Sequence, residues 1–356
     1  MPLHVERILV VRTDRLGDVV LTLPVLSSLR RCFPGARLSV LLRQYTGAIV
    51  TGNPFVDEII WYDRDGTLLS FRSILATLKA KRFDAAVLVR PDPRAALLLA
   101  LAGIPVRIGT GYRYYSPLMT HRIYEHRSEA KHHELEYNLH LLAPLGCDAR
   151  DEIAAPRFGV VVAEQTRASA EEVLRSLGVR SDRRIVVHPG SGGSAADWPV
   201  ESFAALARQL QESGAGTILV TGSRPEAAKA ETIAGGCAGA VNLAGRLSVP
   251  QLAAVIESSR LFIGNSTGPL HVAVAVGTPV LGFYPSVPVM GRKRWGPYSP
   301  KSAVLSPDPA RCLRPSAHRK NECSCMETIG VQDAVRAAED LLARYPARPA
   351  KEREHA

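Results

Sequence analysis

The chain has 356 residues, of which 46% are hydrophobic and 22% are charged. These proportions are typical of a folded globular protein and exclude a disordered or fibrous chain, and the length is sufficient for two domains. The formal net charge is +10, from 44 Lys and Arg against 34 Asp and Glu. Such a balance favours partners that carry phosphate.

The sequence contains no apolar stretch of the roughly 18 residues that a membrane-spanning helix needs. Its most apolar segments are residues 95–102 and 272–284, and the second is interrupted by Gly277, Pro279 and Gly282. The N-terminus leads directly into a strand pattern, so no signal peptide is predicted. We therefore expect a cytoplasmic protein, and the six Cys are not expected to form a disulfide framework.

Strand and helix patterns alternate in the first half of the chain. Residues 8–12 begin with a continuous apolar run, as in sheets that are buried on both faces. The alternation predicts βαβ units and a parallel sheet covered by helices. The predicted strands are residues 8–12, 38–42, 58–62 and 85–89, and the predicted helices are residues 19–31 and 68–81.

The second half repeats this alternation after a polar, turn-rich segment. Its predicted strands are residues 185–187, 218–221, 240–243, 261–264 and 280–284. The predicted helices are residues 168–177, 200–211, 226–233, 249–258, 270–276 and 331–344. The expected organisation is an N-terminal domain 1–165, a linker 166–182, a C-terminal domain 183–345 and a frayed tail 346–356.

The predicted fold class is therefore α/β, with two doubly wound, Rossmann-like domains that face a cleft. Ligands of open α/β sheets bind beyond the carboxyl ends of the strands. We expect the functional side chains in the loops after residues 12, 187, 221 and 264.

The first of these loops carries Asp18 at the predicted start of a helix, after Arg12, Arg15 and Gly17. Gly17 lets the backbone approach a ligand closely. Asp18 has two interpretations: it caps the helix, or it is a carboxylate base that Arg12 or Arg15 keeps ionised. The spacing alone does not decide between them.

Two further loops resemble anion sites. Gly190, Gly192 and Gly193 follow a strand, and their free N–H groups could surround a phosphate, although glycines also serve turns without a ligand. Residues 264–271 end a strand and begin a helix whose first N–H groups, at Ser266 to Gly268, would face an anion. His271 lies in the first turn of that helix and either packs or reaches the same anion.

The remaining clusters of cysteine and histidine do not predict a functional site. Cys312, Cys323 and Cys325 lie in a basic segment, but their spacing is not that of a zinc site, and we expect reduced thiols without metal. His132 and His133, followed by Glu134, are typical of a polar helix start.

Three segments together resemble the lipopolysaccharide heptosyltransferases, which form glycosyltransferase family 9 and have the GT-B fold. The first begins at Arg12 and reads Arg-Thr-Asp-Arg-Leu-Gly-Asp-Val, with Leu-Pro soon after. The others are His-Pro-Gly-Ser with Trp-Pro, from His188, and Gly-Asn-Ser-Thr-Gly-Pro-Leu-His, from Gly264. The resemblance extends from Ile8 to about Val335, with the motifs in order.

The resemblance implies transfer of a heptose from ADP-heptose to the inner core on lipid A, with inversion at the anomeric carbon and without metal or other cofactor. It implies that Asp18 is the general base and that Arg12, Arg15 and Gly17 face the acceptor. The C-terminal domain would hold ADP, with Glu226 at the ribose and Leu247 near the adenine. The expected donor-binding residues are Ser191, Gly192, Gly193, Gly222, Glu226, Leu247, Ser266, Thr267, Gly268 and His271.

Two positions depart from the family pattern. Ala196 stands where family members commonly carry Lys, and Ser266 stands where many carry Asp. These departures leave two alternatives open: a relative that uses another nucleotide sugar and glycan acceptor, and a paralogue that binds nucleotide or glycan without turnover.

The expected partners are a nucleotide sugar and a phosphorylated, lipid-linked glycan acceptor. The positive net charge suits peripheral contact with an anionic membrane at the cytoplasmic face. We expect no nucleic-acid partner, because the chain has no run of basic residues interleaved with aromatic ones.

Overall fold

The structure, a computed structural model, describes residues 5–308 and 324–346. The chain divides into two units, one that ends at Val161 and one that begins at Val162. Within the described residues, each unit contains a six-stranded sheet in which every pair of neighbouring strands is parallel.

The first unit alternates strands and helices. Its strands are β1 Arg7–Val11, β2 Arg37–Leu42, β3 Glu58–Trp61, β4 Asp63–Arg64, β5 Thr67–Leu68, β6 Ala85–Leu88, β7 Val106–Thr110 and β8 His121–Ile123. Its helices are α1 Leu16–Val20, α2 Leu23–Cys32, α3 Gln44–Gly47, α4 Phe71–Lys81, α5 Pro93–Leu101, α6 Glu134–His140 and α7 Arg150–Ala154.

The second unit has the same alternation. Its strands are β9 Arg184–His188, β10 Thr217–Val220, β11 Val241–Asn242, β12 Leu261–Asn265, β13 Val280–Phe283 and β14 Ser302–Leu305. Its helices are α8 Glu164–Ser176, α9 Val200–Glu212, α10 Ala227–Gly235, α11 Val249–Glu257, α12 Gly268–Ala275, α13 Arg292–Trp295 and α14 Val331–Arg344.

Both sheets have the same strand order, and this order positions the functional loops. The first sheet runs β3-β2-β1-β6-β7-β8 and the second runs β11-β10-β9-β12-β13-β14. In each sheet the first three strands of the order are added toward one edge. The chain then crosses back to the other side of the first strand and adds the remaining three strands toward the opposite edge, so the order reverses beside the first strand. Loops that follow the two strands at such a reversal diverge and leave a crevice for ligand. In the first unit these strands are β1 and β6, and in the second they are β9 and β12.

Each sheet is buried in its own hydrophobic core. β1 and β9 show almost no exposure over most of their length, as the apolar sequence runs predict for strands covered on both faces. In the second unit Trp198 stacks on Phe283 with ring centroids 4.1 Å apart, and Phe203 meets both rings edge-on. Aromatic stacking of this kind anchors the loop that precedes α9 to the sheet.

The predicted helix 19–31 is wrong in one respect, because two helices occupy this region. α1 ends at Val20 and α2 begins at Leu23, with Pro24 in its first turn. Proline has no N–H to donate to the preceding turn, so the helix starts anew at this point. Elsewhere the predicted elements agree with the structure to within a few residues.

The segment predicted as a linker, 166–182, contains most of α8, and this helix packs in the second unit. Arg167 Nε donates to Glu257 Oε2 at 2.8 Å, and Gln251 Nε2 donates to Ser169 Oγ at 2.8 Å. Both contacts join α8 to α11, which explains why the division of the chain lies before α8.

The expectation about cysteines needs one correction. Cys32, at the end of α2, is paired with Cys147 as a disulfide, with Cα atoms 5.7 Å apart. The two residues are far apart in sequence, and only the packing of α2 in the folded unit brings them together. Cys325 is buried in the core of the second unit, whereas the predictions for Cys312 and Cys323 lie outside the described residues.

Candidate functional site

A buried arginine after β1 gathers three carboxylates in the first unit. Arg12 is only 3% exposed. Its Nε donates to Asp14 Oδ1 at 2.7 Å, and its Nη2 donates to Asp18 Oδ1. Its Nη1 lies 3.8 Å from Glu134 Oε1. The single positive charge of Arg12 is therefore shared among three carboxylates, so only part of its attraction acts on Asp18.

Asp18 is not the N-cap of α1. Arg15 occupies that position, and Asp18 is the third residue of the helix. Its carboxylate accepts the hydrogen bond from Arg12 and its side chain keeps 18% exposure. The structure therefore decides against the capping interpretation and pairs Asp18 with Arg12, while Arg15 is exposed and Gly17 is buried within α1.

The Asp18 carboxyl is unusually basic. Burial is the largest influence and raises its pKa to about 6, although the Arg12 charge acts in the opposite direction. Asp14 and Glu134 add to the rise. Burial disfavours the Arg12 charge, but the three carboxylates outweigh this and raise the pKa of Arg12. At neutral pH Asp18 is therefore ionised, yet it is a stronger base than an exposed aspartate.

Helix α6 supplies partners of Arg12 that the sequence analysis missed. Glu134, 2% exposed, binds Arg127 Nη1. Asn138 Oδ1 accepts from Arg127 Nη1 at 3.1 Å and from Arg12 Nη1 at 3.5 Å. The sequence did indicate this helix start, since His133 is the N-cap of α6 and forms a capping box with Glu136. The sequence did not indicate that Glu134 would lie beside Arg12, at the end of β1.

Two polar contacts join the loop after β6 to the loop after β1, although the strand order reverses between these two strands. Thr13 Oγ1 donates to Asp92 Oδ2 at 3.3 Å, and Arg90 Nε lies 3.8 Å from Asp14 Oδ2. Asp92 also accepts from the backbone N–H groups of Arg94 and Ala95 and so caps α5. These contacts fix the polar segment that carries Asp18 against its neighbour.

In the second unit, the glycine loop after β9 lies against Glu226. Ser191 is buried and its Oγ donates to Ala195 O at 3.0 Å. Gly192 and Gly193 have φ values of +57° and +73°, which side chains rarely adopt. Gly192 N–H lies 3.4 Å from Glu226 Oε1, and a Cβ atom added at Gly190 would overlap the same carboxylate. The glycines are therefore required by this loop's shape.

Glu226 is an ionised carboxylate with a fixed position. Its Oε2 accepts from Ser223 N–H at 2.8 Å and from Ser223 Oγ at 2.6 Å. Burial would raise its pKa, but these hydrogen bonds outweigh burial and the net pKa is lowered. Gly222, at the end of β10, leaves room for Glu226, since an added Cβ would lie 3.3 Å from Glu226 Cβ.

The loop after β12 begins helix α12. Thr267 is the N-cap, Gly268 is the first helical residue, and a proline follows in the first turn, as predicted. Ser266 and Thr267 are buried, and within the described residues no protein acceptor is present for the N–H groups of Thr267 and Gly268. His271 is buried in the first turn, 4% exposed. The helix start is thus available to an anion.

Two side chains missed by the sequence analysis join the loops after β9 and β12. Asn265, fully buried, accepts from Trp198 N–H at 2.9 Å and donates to Pro189 O at 2.7 Å. Ser194 Oγ donates to Ser266 O at 3.0 Å. The two candidate anion loops therefore form one connected surface.

The rest of the second site is less polar. Burial lowers the pKa of His188 to about 4, although the charges of Glu226 and Asp197 act to raise it. His188 is therefore neutral at pH 7. Its Nδ1 lies 3.0 Å from Thr221 Oγ1. Leu247 is half-buried just before the start of α11. Ala196 is buried in the hydrophobic core, so this chain has an apolar group where the family pattern has a cation.

Within residues 5–308 and 324–346, no group of three or more His, Cys, Asp or Glu side chains is arranged to hold a metal ion. In the same part of the chain, none of the helices combines the length and apolar character needed to span a bilayer.

Two Rossmann-like units, with a basic carboxylate at one strand reversal and two anion-type loops at the other, define the class of GT-B glycosyltransferases. A family model described as glycosyltransferase family 9 (heptosyltransferase) matches residues 71–326. This is more than half of the chain, and the protein belongs to that family.

Relatives and solved structures agree with this assignment. The chain is 28% identical to a candidate glycosyltransferase of Haemophilus influenzae, over 93% of this chain and 95% of the relative. It is 26% identical to lipopolysaccharide heptosyltransferase 3 of Escherichia coli, over 92% and 96%.

Two solved structures show the fold. A family 9 glycosyl transferase of Veillonella parvula has a TM-score of 0.82 at 24% identity, over 97% of this chain and 99% of that one. The ADP-heptose lipopolysaccharide heptosyltransferase II of E. coli has a TM-score of 0.77 at 23% identity, over 95% and 99%. The predicted α/β fold of GT-B type is confirmed.

Proposed function

We propose that this glycosyltransferase moves a heptose from ADP-heptose onto the inner core of lipopolysaccharide, with inversion and without a metal ion. The observation that carries the proposal is the exposed edge of the Asp18 carboxylate, a base with a pKa of about 6 that Arg12 holds in place. Family membership supplies the reaction type, and the heptosyltransferase names of relatives and neighbours support the sugar.

Asp18 acts as the general base in this proposal. Its carboxylate takes the proton from an acceptor hydroxyl while that oxygen forms a bond to the anomeric carbon of the donor sugar. The bond from the anomeric carbon to the diphosphate oxygen breaks on the opposite face, so the configuration inverts and the nucleoside diphosphate leaves with the electron pair. General-base catalysis by a positioned carboxylate contributes roughly 10²–10⁴-fold to a rate. Arg12, Arg15 and Gly17 are proposed to face the acceptor.

The second unit holds the donor in this proposal. The helix start at Thr267 and Gly268, together with Ser191, Gly192, Gly193 and Ser266, receives the diphosphate, because N–H groups at a helix start attract anions. His271 lies beside that start. Glu226 accepts hydrogen bonds from the ribose hydroxyls next to Gly222, and Leu247 borders the adenine.

A second candidate function is transfer of another sugar from another nucleotide to a different glycan. The specific observation in its favour is Ala196, which is buried in the core and cannot neutralise a leaving diphosphate as lysine would. A paralogue that binds without turnover is the third possibility, and the exposed, basic carboxylate of Asp18 argues against it because binding alone does not require a base.

The acceptor is proposed to be a phosphorylated, lipid-linked glycan. The net charge of +10 favours peripheral contact with an anionic membrane from the cytoplasmic side, and no nucleic-acid partner is proposed.

The proposed function is tested by calorimetry with ADP, UDP and GDP, followed by transfer assays with the matching nucleotide sugars. We expect ADP alone to bind, and Asp18→Asn to retain ADP affinity while it loses at least about 100-fold in kcat. Asp63→Asn is the control, because Asp63 is another aspartate of the first unit, 2% exposed against 18% for the Asp18 side chain, and it accepts from Gln44 N–H rather than from Arg12. Preference for UDP or GDP would favour the second candidate, and absence of any nucleotide binding would contradict all transferase proposals.

A further inference from the structure

Buried Glu134 and half-buried Arg127 form an ion pair beside Arg12 that the proposed chemistry does not use. The Glu134 side chain is 3% exposed, and that of Arg127 is 21% exposed. Glu134 binds Arg127 and also lies 3.8 Å from Arg12 Nη1. Asn138, one turn further along α6, accepts from both arginines. Two arginines and two acceptors of α6 therefore form one connected network that ends at Asp18.

If the network only filled space in the core, burying its charges would reduce the stability of the fold. A buried carboxylate near other carboxylates loses hydration and is repelled by them, and apolar side chains of similar size often stabilise such a position equally well. Packing alone therefore does not explain a glutamate at this position, whereas its effect on charge at Arg12 does.

Glu134 shares the positive charge of Arg12 with Asp18. A carboxylate that faces an arginine alone becomes more acidic, by about 1–3 pK units, and is then a weaker base. Glu134 competes with Asp18 for Arg12, and its own charge repels a second negative charge nearby. Arg127 limits this effect because it neutralises part of Glu134.

We propose that Glu134, balanced between Arg127 and Arg12, is a positioning residue that takes up part of the Arg12 charge and so decides the pH range in which Asp18 works as a base. This inference rests on the proposed function for Asp18, which touches the reacting hydroxyl, whereas Glu134 acts only through Arg12. It assigns a role to a residue pair on α6 and on the loop after β8, outside the three sequence motifs.

The charged and titratable groups around Asp18 come from several elements. Arg12, Asp14 and Arg15 lie on its own segment, between β1 and α1, and Glu134 lies on α6. Tyr45 lies on α3 and Arg43 precedes that helix, while Arg90 follows β6 and reaches Asp14. Of these, Arg12 and Glu134 belong to the network with Arg127 and Asn138.

The test compares Glu134→Gln with Arg127→Gln, because the two changes have opposite expected signs. Glu134→Gln removes a negative charge that raises the Asp18 pKa, so the acidic limb of the kcat/KM profile moves from about pH 6 to lower pH by about one unit. Arg127→Gln strengthens the pull of Glu134 on Arg12, so the limb moves to higher pH. A purely structural role would lower activity without opposite shifts.

The matched controls are Glu152→Gln and Arg157→Gln. Glu152 is also buried in the first unit, at 1% side-chain exposure, and accepts from Arg157 Nε at 3.0 Å. These variants should lose stability to a similar degree but keep the parent pH profile. Shifts of equal sign in both network variants, or equal shifts in the controls, would overturn the proposal.

A second measurement does not depend on transfer activity. The pKa of Asp18 is raised from 3.8 to about 6 in the folded protein, so its contribution to stability is full below pH 3.8 and is lost as the pH rises to about 6. We expect Glu134→Gln to move this loss to lower pH and Asp18→Asn to remove it. If no nucleotide sugar is transferred, the proposed function fails, and the unfolding profiles still decide this inference: an unchanged profile in Glu134→Gln refutes it.

Discussion

Asp18 shows how burial and neighbouring charges change the pKa of a side chain that the sequence analysis had already singled out. An aspartate six residues after a buried arginine could be a helix cap or a base, and the fold excludes the cap by placing Arg15 at that position and Arg12 against the carboxylate. Burial then raises the pKa to about 6. The raised pKa on which the proposed role depends follows from burial and shared charge, which are properties of the folded unit.

Gly190 is required for a steric reason. An added Cβ would overlap Glu226 Oε1, so Gly190→Ala should push Glu226 away from Ser223 and Gly192 and weaken ADP binding about tenfold or more, the value of one hydrogen bond to a charged group. Calorimetry with ADP measures the effect.

Gly235→Ala is the control for that variant, because no atom lies within 4 Å of its added Cβ. It should leave ADP affinity unchanged. Equal affinity in Gly190→Ala and the parent protein would show that Glu226 does not contact the nucleotide.

At the scale of elements, helix starts and loops carry the candidate site, and a few buried polar side chains hold them together. α12 presents its first N–H groups because Thr267 and a proline begin it directly after β12. Asn265 then ties that strand end to Pro189 and Trp198. The Asn265 amide therefore joins two loops that the sequence shows only as separate motifs, together with the Ser194 hydroxyl that donates to Ser266 O.

Asn265→Ala should destabilise the second unit by about 1–3 kcal/mol, because a buried N–H and a buried C=O both lose their partner. Weaker ADP binding should accompany this loss, since the two loops are no longer joined through Asn265. Thermal unfolding and calorimetry together test the prediction.

The control is Asn242→Ala, whose amide binds Glu231 and the N–H of Ala244 at the half-buried edge of the sheet. It should cost less stability and leave ADP affinity intact. If both variants bind ADP as the parent does, the connection through Asn265 is structural only.

At the scale of the whole molecule, charge is the property with a functional consequence. The net charge of +10 produces a positive field that attracts anionic surfaces and is screened by salt.

The protein should therefore sediment with vesicles that contain anionic phospholipid and remain free with purely zwitterionic vesicles. High salt should release it, because screening shortens the range of attraction to a few ångströms. Salt-resistant binding, or equal binding to zwitterionic vesicles, would contradict an electrostatic membrane contact.

The alternation of strands and helices was readable from the sequence, because apolar runs and helical periodicity are local properties of the chain. The strand-end loops after β1, β9 and β12 were also readable, since glycine, proline and small polar residues mark them. The prediction was wrong at Pro24, which divides a predicted helix, and periodicity could not show that α8 packs on α11.

Long-range contacts were decided only by the tertiary structure. Glu134 and Asn138 reach Arg12 across more than a hundred residues, and Cys32 meets Cys147 in the same way. Asn265 joins loops that belong to different strands. The sequence by itself determined the fold class and the residues at the strand ends, whereas packing decided which charges share Arg12, because burial and distance exist only after the chain has folded.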